Sequence, residues 1–371
     1  MTTTPTALAR PVTAAIRAGY AWSVRREKQQ AWLEIARMTG VIMRHFGPGQ
    51  GPVAPAELVN LLHQPLGTWL PTDDPALAGL VILGDDGQLT DDTYGIGCDY
   101  TVDLLAGQED PGRTWLPRWR THRAEQVEQE AFKRLVSGSD EDYTTGRRFL
   151  VENPAGAQDA ILDRQTALGL PPLVEFSPIP QDRQWQGRWW PCPTCKWPMA
   201  VSTSGHVSCR FRPHQATYTL LNGAGRSPRL QPDDGAPSAG RARLVDGAVC
   251  VAESIWRYVV VPGVVEIRLH DRINALPGIT AHLYPGKDRF DIGVRKASEQ
   301  EWLFTLDVKD FASPVALAAK INERPISAGH LVIPDYRRDQ LLELGRLLPA
   351  VKVVTETQIY RRISRMAKEE Q

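Results

Sequence analysis

Residues 5–46 read as helical, with apolar positions such as Ala15, Ile16, Ala31, Trp32, Ile35 and Met38 at helix-like spacing. The Gly/Pro-rich run at 47–52 ends that unit. A short helix is expected around 57–63. The apolar run 80–83, followed by Gly84-Asp85-Asp86-Gly87, predicts a strand and a tight turn. This helix–hairpin order is compatible with a winged helix. Residues 118–136 predict another helix, with Ala124, Val127, Ala131 and Leu135 on one side. Residues 153–182 are Pro-rich and read as irregular. Residues 222–243 hold one Leu among Gly, Pro, Ser and Asp; that composition cannot build a core and predicts a linker.

The last segment, 244–371, reads as α/β. Helices are expected at 244–261 and 264–276, separated by Pro262-Gly263. Strands follow at 290–294 and 301–311, then a helix at 314–322 and a buried strand at 331–334. A helix at 336–347, a strand at 351–354 and a basic helix at 359–368 complete the order. The final strand–helix–strand unit predicts a right-handed parallel crossover. The fold class expected is multidomain, α+β and α/β. It has a helical, winged-helix-like region at 1–110, a helical connecting region at 111–182, a cysteine-bearing segment at 183–221, the linker at 222–243 and an α/β domain at 244–371. No internal repeat is visible.

Composition adds little until it is divided. The 371 residues are 42% hydrophobic and 23% charged, as in ordinary globular chains. No apolar run approaches the roughly 20 residues that span a bilayer, and the first 20 residues show no secretory signal. A cytoplasmic location is expected. Lys+Arg and Asp+Glu number 43 each, for zero net charge, which seems to argue against a polyanionic partner. The distribution reverses that impression. Residues 1–50 hold 7 basic and 2 acidic groups, and residues 51–110 hold 11 acidic and no basic ones. One acidic block masks a mildly basic remainder, and a polyanion feels the local potential. The block reads either as a solvated surface or as a protein-docking, DNA-mimicking face. It is expected to point away from nucleic acid.

Five cysteines are too few and too clustered for a disulfide framework. Cys192, Cys195 and Cys209 with His214 form C-x2-C-x13-C-x4-H. Two thiolates flanking a two-residue knuckle hold one edge of a tetrahedral zinc site, and a second pair closes it. His206 is an alternative fourth ligand, and a redox Cys-x-x-Cys is the other reading of the first pair. Four protein ligands would make the zinc structural, in a zinc ribbon spanning 183–221. Cys98 and Cys250 read as lone buried thiols. Around the cluster stand Trp185, Trp189, Trp190 and Trp197, with Arg183, Arg188, Lys196, Arg210 and Arg212. These aromatics suit either base stacking or packing on the ribbon's metal core. For nucleic-acid contact the candidates are Arg188, Trp190, Lys196, Arg210 and Arg212.

The α/β segment carries the most informative pattern. Alternate strand residues share a face, so Asp307 and Lys309 point together while Val308 packs oppositely. Asp291 lies 16 residues earlier on a strand able to pair with theirs as a hairpin. Two close carboxylates bind a hard divalent cation, Mg²⁺ or Mn²⁺, through oxygen. Such a site polarises a phosphodiester and activates water, while a neighbouring Lys stabilises developing charge. Of nine lysines only Lys309 has an acid two residues before it, and the pair sits among Trp302, Leu303, Phe304 and Leu306. An exposed strand ion pair is the bland alternative. Ionised groups inside an apolar strand need a reason. The histidines at 45, 63, 122, 270, 282 and 330 form no readable triad.

These residues and their order resemble the PD-(D/E)xK restriction-endonuclease superfamily. Asp291 matches its first metal carboxylate, and Asp307 with Lys309 matches its (D/E)-x-K. Glu266 matches the acid often found on the first core helix. Phe290 stands where the family has Pro. Pro262-Gly263-Val264-Val265-Glu266, Leu283-Tyr284-Pro285 and Asp307-Val308-Lys309-Asp310-Phe311 are similar to the nuclease component of a prokaryotic PIWI-linked (pPIWI-RE) defence island. The resemblance covers about 190–371, including the zinc ribbon, and covers 1–180 only loosely. It implies Mg²⁺-dependent DNA cleavage against phage or plasmid, with a PIWI-like protein and a DinG-like helicase as partners. A homodimer is left open. A second reading is a non-catalytic zinc-ribbon adaptor that binds DNA or protein through a degenerate nuclease fold. A third is a zinc-ribbon transcription regulator.

Overall fold

The computed structural model describes residues 5–369, apart from 27, 48, 85, 86, 88, 91, 92, 94, 95, 97–121, 203, 204 and 222–227. The chain divides into two compact units. The first comprises 1–123, 311–325 and 342–348, and the second 124–310, 326–341 and 349–371. No helix among the described residues is long and apolar enough to cross a membrane.

The first unit begins with α1 (Pro5–Ser23), α2 (Ala31–Met43), α3 (Pro55–Leu62) and the short α4 (Pro75–Ala78). The helical spacing of the sequence buries Val12, Ala15, Ile16, Ile42, Leu58 and Leu62 in one core. A buried ion pair between Arg17 and Glu34 fastens α1 to α2. The expected wing does not form among the described residues. The 80–83 run makes a turn (Gly87 N–H to Gly84 O, 2.8 Å) and only a single bridge, Leu83 to Leu89. Leu80, Ile82 and Leu83 are all buried, so this run packs as core rather than alternating as a half-exposed hairpin strand. Part of the acidic block and Cys98 lie outside the described residues.

The second unit opens with α5 (His122–Ser137) and α6 (Asp140–Glu152). Ser139 caps α6 in a capping box: its Oγ accepts from the Asp142 N–H, and Asp142 accepts from the Ser139 N–H at 2.8 Å. The stretch expected to be irregular instead holds β1 (Ala155–Ala157), α7 (Gln158–Ala167) and β2 (Phe176–Pro178). After them come β3 (Arg188–Trp189), β4 (Ala200–Val201), β5 (His206–Ser208), β6 (Thr217–Leu221), β7 (Arg229–Pro232), β8 (Arg243–Leu244) and β9 (Ala248–Val251).

Two expectations fail here. The described part of the expected 222–243 linker, residues 228–243, is not simply a linker. β7 pairs with β6, β8 pairs with β3, and the Tyr218 hydroxyl donates to Pro237 O at 2.9 Å. Backbone pairing satisfies this apolar-poor stretch without a core of its own. The helix expected at 244–261 forms only in its second half: ahead of it β9 lies between β1 and β2, buried along its whole length. An apolar run buried on both faces loses the alternation that separates strand from helix.

A helical stretch at 253–260, its last five residues a π-turn, leads straight into α8 (Val261–Asn274). Pro262 does not end the helix. It follows the π-turn, at the start of α8. The nuclease-like sheet follows: β10 (Ile279–Leu283), β11 (Ile292–Lys296), β12 (Phe304–Val308), β13 (His330–Ile333) and β14 (Val353–Thr355), in that spatial order. β10, β11 and β12 run antiparallel to their neighbours, while β12, β13 and β14 are parallel, as the crossover pattern predicted. The remaining helices are α9 (Pro314–Glu323), α10 (Leu341–Leu347) and α11 (Glu356–Glu369); α9 and nearly all of α10 cluster with the first unit. The fold class is mixed α and β, with a helical N-terminal region and a C-terminal sheet domain of restriction-endonuclease type.

Candidate active site and metal centre

The four ribbon ligands converge. The ligand atoms of Cys192, Cys195, Cys209 and His214 all lie within 4.8 Å of one another, and all four residues are buried. Tetrahedral zinc with bonds of about 2.3 Å to sulfur and 2.0–2.1 Å to nitrogen requires sulfur–sulfur edges near ~3.8 Å and sulfur–nitrogen edges near ~3.6 Å. The Cys195–Cys209 separation is 3.9 Å, and His214 Nδ1 stands 3.6 Å from Cys192 Sγ and 3.5 Å from Cys209 Sγ. The residues therefore fit a closed, structural zinc. His206 is on β5, exposed and facing Asp233, so it is not the fourth ligand.

The knuckle is closed by backbone bonds: the Lys196 N–H to Cys192 O and the Cys192 N–H to Trp197 O, both 2.9 Å. One partner of the cluster was not foreseen. Trp256, on the helical stretch before α8, donates its indole N–H to Cys195 Sγ at 3.2 Å and stacks on Trp197 with centroids 4.4 Å apart. This contact joins the ribbon to the nuclease-like domain inside one core.

The same packing decides the role of the ribbon tryptophans. Trp189, Trp190 and Trp197 are buried, Trp190 at 1% exposure, so Trp190 has no free face for a base and leaves the list of nucleic-acid candidates. Packing on the metal core is the use the fold makes of these rings. Arg210 is engaged by Asp182 and Glu253, at 2.9 and 3.1 Å. Lys196 and Arg212 are exposed, and Arg188 is half-buried.

The carboxylates converge too. β11 and β12 pair Ile292 with Leu306, and one further step of that register sets Asp291 opposite Asp307. Directly opposed residues have Cβ atoms about 4.5–5.5 Å apart, and like charges so placed are destabilising. Both are buried, at 3% and 8% exposure. Lys309 supplies the balancing charge, its Nζ lying 2.6 Å from Asp307 Oδ1 and 3.6 Å from Asp291 Oδ2. The N–H of Val308, between them, donates to Asp291 Oδ2 at 2.6 Å. Burial pushes the Asp291 carboxyl upward; Lys309 pulls it down, and the Asp307 charge pushes it up again. Burial opposes the charge on Lys309, but the two carboxylates more than offset this and hold its pKa above the ordinary value. Two buried carboxylates sharing one ammonium make a donor set with spare negative charge, which fits a hard divalent cation.

Glu266 lies on α8, 1% exposed, close enough for its charge to bear on Asp291. Its direct partners were not visible in the sequence. One guanidinium nitrogen of Arg147, on α6, reaches both of its oxygens at 3.2 and 3.1 Å, and the Tyr284 hydroxyl donates to Oε2 at 2.6 Å. Burial raises the Glu266 carboxyl to about 8 against the pull of Arg147. Arg147 also pairs with Asp288 at 2.7 Å. It thereby grips the turn between β10 and β11, where Tyr284, Lys287 and Asp288 all hold positive φ. Such backbone costs on the order of 1–3 kcal/mol per residue and persists where surrounding contacts over-determine it. Here these include the Gly286 N–H to Asp140 (3.1 Å) and Lys287 Nζ to Val136 O (2.9 Å). Arg147 is 119 positions from Glu266, and no local pattern announces the pair.

Comparison with known families gives two matches. Residues 263–371 match the family described as REase associating with pPIWI_RE, and residues 7–157 match pPIWI_RE three-gene island domain Y. The zinc ribbon lies between them, and the region where the resemblance looked loose carries a match of its own. No curated protein and no solved structure matches the chain. Asp291, Asp307, Lys309 and Glu266 all fall inside the first match. The chain is a pPIWI-RE island protein that carries a restriction-endonuclease-like domain.

Proposed function

We propose that the chain is a divalent-metal-dependent endonuclease that hydrolyses DNA phosphodiester bonds in a PIWI-linked anti-phage or anti-plasmid system. The observation that carries this reading is the cross-strand placement of Asp291 opposite Asp307, with Lys309 Nζ between them. Asp291 and Asp307 would hold Mg²⁺ or Mn²⁺. When bound, such an ion supplies Lewis acidity toward the phosphodiester and a lowered pKa for its water. The chain's own groups do the rest. Lys309 moves its ammonium from the carboxylates to the scissile phosphate, where it stabilises the added negative charge. The Val308 N–H keeps Asp291 aimed across the strands. Arg147 and Tyr284 fix Glu266 beside the pair. A PIWI-like protein and a DinG-like helicase are the proposed partners, the acidic 51–110 block is a proposed partner-facing or solvent-facing surface, and a homodimer remains a proposed assembly.

The test is cleavage of plasmid, linear duplex and single-stranded DNA with Mg²⁺ and with Mn²⁺, comparing wild type with Asp307→Ala. Cleavage by wild type that the substitution abolishes is expected. Cleavage that survives Asp307→Ala and Lys309→Ala would remove this site. DNA binding without any cleavage would leave the non-catalytic adaptor as the function.

A further inference from the structure

The geometry points to a pocket for one unpaired nucleobase beside the turn between β10 and β11, with Trp302 as its stacking platform; this deepens the nuclease reading and rests on it. Trp302 precedes β12 and is 40% exposed, unlike the buried ribbon tryptophans. Its ring lies against Gly293 of β11, where a Cβ would come within 2.7 Å of the indole. Only a glycine lets the ring sit this close to the strand. Phe290, the residue before Asp291, packs edge-on to the same indole at 5.9 Å between centroids. His282 of β10 packs edge-on at 5.5 Å, and the Arg295 guanidinium stands 5.8 Å from the ring centre.

Trp302, His282 and Arg295 line an open cleft of about 640 Å³ that also takes in Tyr284 and Gly286 of the strained turn, and Asp140 of α6. The volume is in the roughly 300–1,000 Å³ range of small-ligand sites. Tyr284, on the cleft lining, is also the residue whose hydroxyl donates to Glu266.

The lining selects a base over a phosphate. Arg148 on the wall is committed to Glu152 and Asp271, both at 2.8 Å. Burial, together with Arg295 and His270, pushes His282 below the ordinary imidazole range, which keeps it neutral. Asp140 and Glu141 at the margin repel an anion and accept from exocyclic amines. A neutral ring with amino groups satisfies this mixture. A base in a duplex has both faces covered by its neighbours, so the occupant is unpaired, from a single strand or a flipped nucleotide.

The experiment measures binding of a labelled single strand, the matching duplex and the matching abasic strand to the full chain, with no divalent metal added so that no turnover occurs. Trp302→Leu is expected to weaken the single strand by about tenfold and leave the abasic strand unchanged, while Trp302→Tyr restores most of the loss. Arg295→Gln, a change at a half-buried position on the same cleft whose guanidinium also donates to Gln300 Oε1 at 2.5 Å, should weaken the single strand. The pocket is wrong if Trp302→Leu binds the single strand as wild type does. It is equally wrong if base-bearing and abasic strands weaken together, or if wild type shows no preference for the single strand over the abasic one. Failure of the cleavage assay with this Trp302 dependence intact would sink the catalytic reading and spare the pocket. Cleavage without the dependence would do the reverse.

Discussion

The backbone N–H of Val308 donates a 2.6 Å hydrogen bond to Oδ2 of Asp291. The residue that separates Asp307 from Lys309 thus fixes the third member of the constellation. Asp291 is therefore both a ligand candidate and a structural acceptor, and two substitutions separate the roles. Asp291→Ala leaves a buried N–H without a partner and should cost about 1–3 kcal/mol in denaturant unfolding. Asp291→Asn keeps an acceptor and should unfold near wild type. Both should lose cleavage by about a hundredfold or more. Equal destabilisation by Asn and Ala would show that the bond is not what holds Asp291.

Lys309→Met removes the one cation between two opposed carboxylates. Metal-free protein should lose stability near neutral pH, and added Mg²⁺ should return part of it, since the ion takes over the neutralising role. Thermal unfolding with and without Mg²⁺ reads this directly. A Mg²⁺ response no larger in the variant than in wild type would contradict the shared site.

The raised Asp291 carboxyl gives metal binding a pH dependence of known sign. Burial is the main cause, with the Asp307 charge adding to it. A carboxyl raised in the folded state favours folding at low pH, and that contribution is lost as pH rises through the folded value. A divalent ion competes with the same proton. Mn²⁺ affinity should therefore climb with pH, by up to about tenfold per unit below the folded pKa, and then level off. A Mn²⁺ affinity that stays flat or falls as pH rises from the ordinary carboxylate range would contradict this.

Metal analysis should find one zinc for each ribbon set, and Cys192→Ser should lose it together with the ribbon's fold, because structural zinc binding is folding energy. A subtler test is Trp256→Phe. This keeps the stacking on Trp197 and deletes the N–H to Cys195 Sγ. Outer-shell changes of this kind cost about 10- to 100-fold in metal affinity. Competition with a chromogenic chelator measures it, and unchanged affinity would limit Trp256 to packing.

Gly263 sets how closely α8 approaches α6. A Cβ there would stand 2.3 Å from Val151 Cγ2. Gly263→Ala should cost roughly 1–3 kcal/mol through overpacking. Val151→Ala in the same chain should recover part of that cost, a coupling that a double-mutant cycle reveals. Additive losses would place the strain elsewhere.

The zinc set was legible because its chemistry is local: Cys192 and Cys195 share one knuckle, and Cys209 and His214 are five positions apart. Asp291, Asp307 and Lys309 were legible for a related reason. A strand's period of two fixes which residues share a face, and a short hairpin limits the partners available. Periodicity also found most helices of the first unit and the parallel crossover of the last strands. It misread β9, whose burial on both faces erased the signal, and it took 222–243, whose described part 228–243 pairs in strands, for a linker. It also offered Trp190 to nucleic acid, because composition does not say which side of a ring is covered. Only the tertiary structure decided that Trp256 donates to Cys195 of the cysteine–histidine cluster, that Arg147 holds Glu266, and that Trp302 is left open on the cleft by the β10–β11 turn. Each of these depends on packing between segments far apart in the chain. The physical reason is that local sequence sets which face a side chain takes, while the burial of whole elements against one another sets what that face meets.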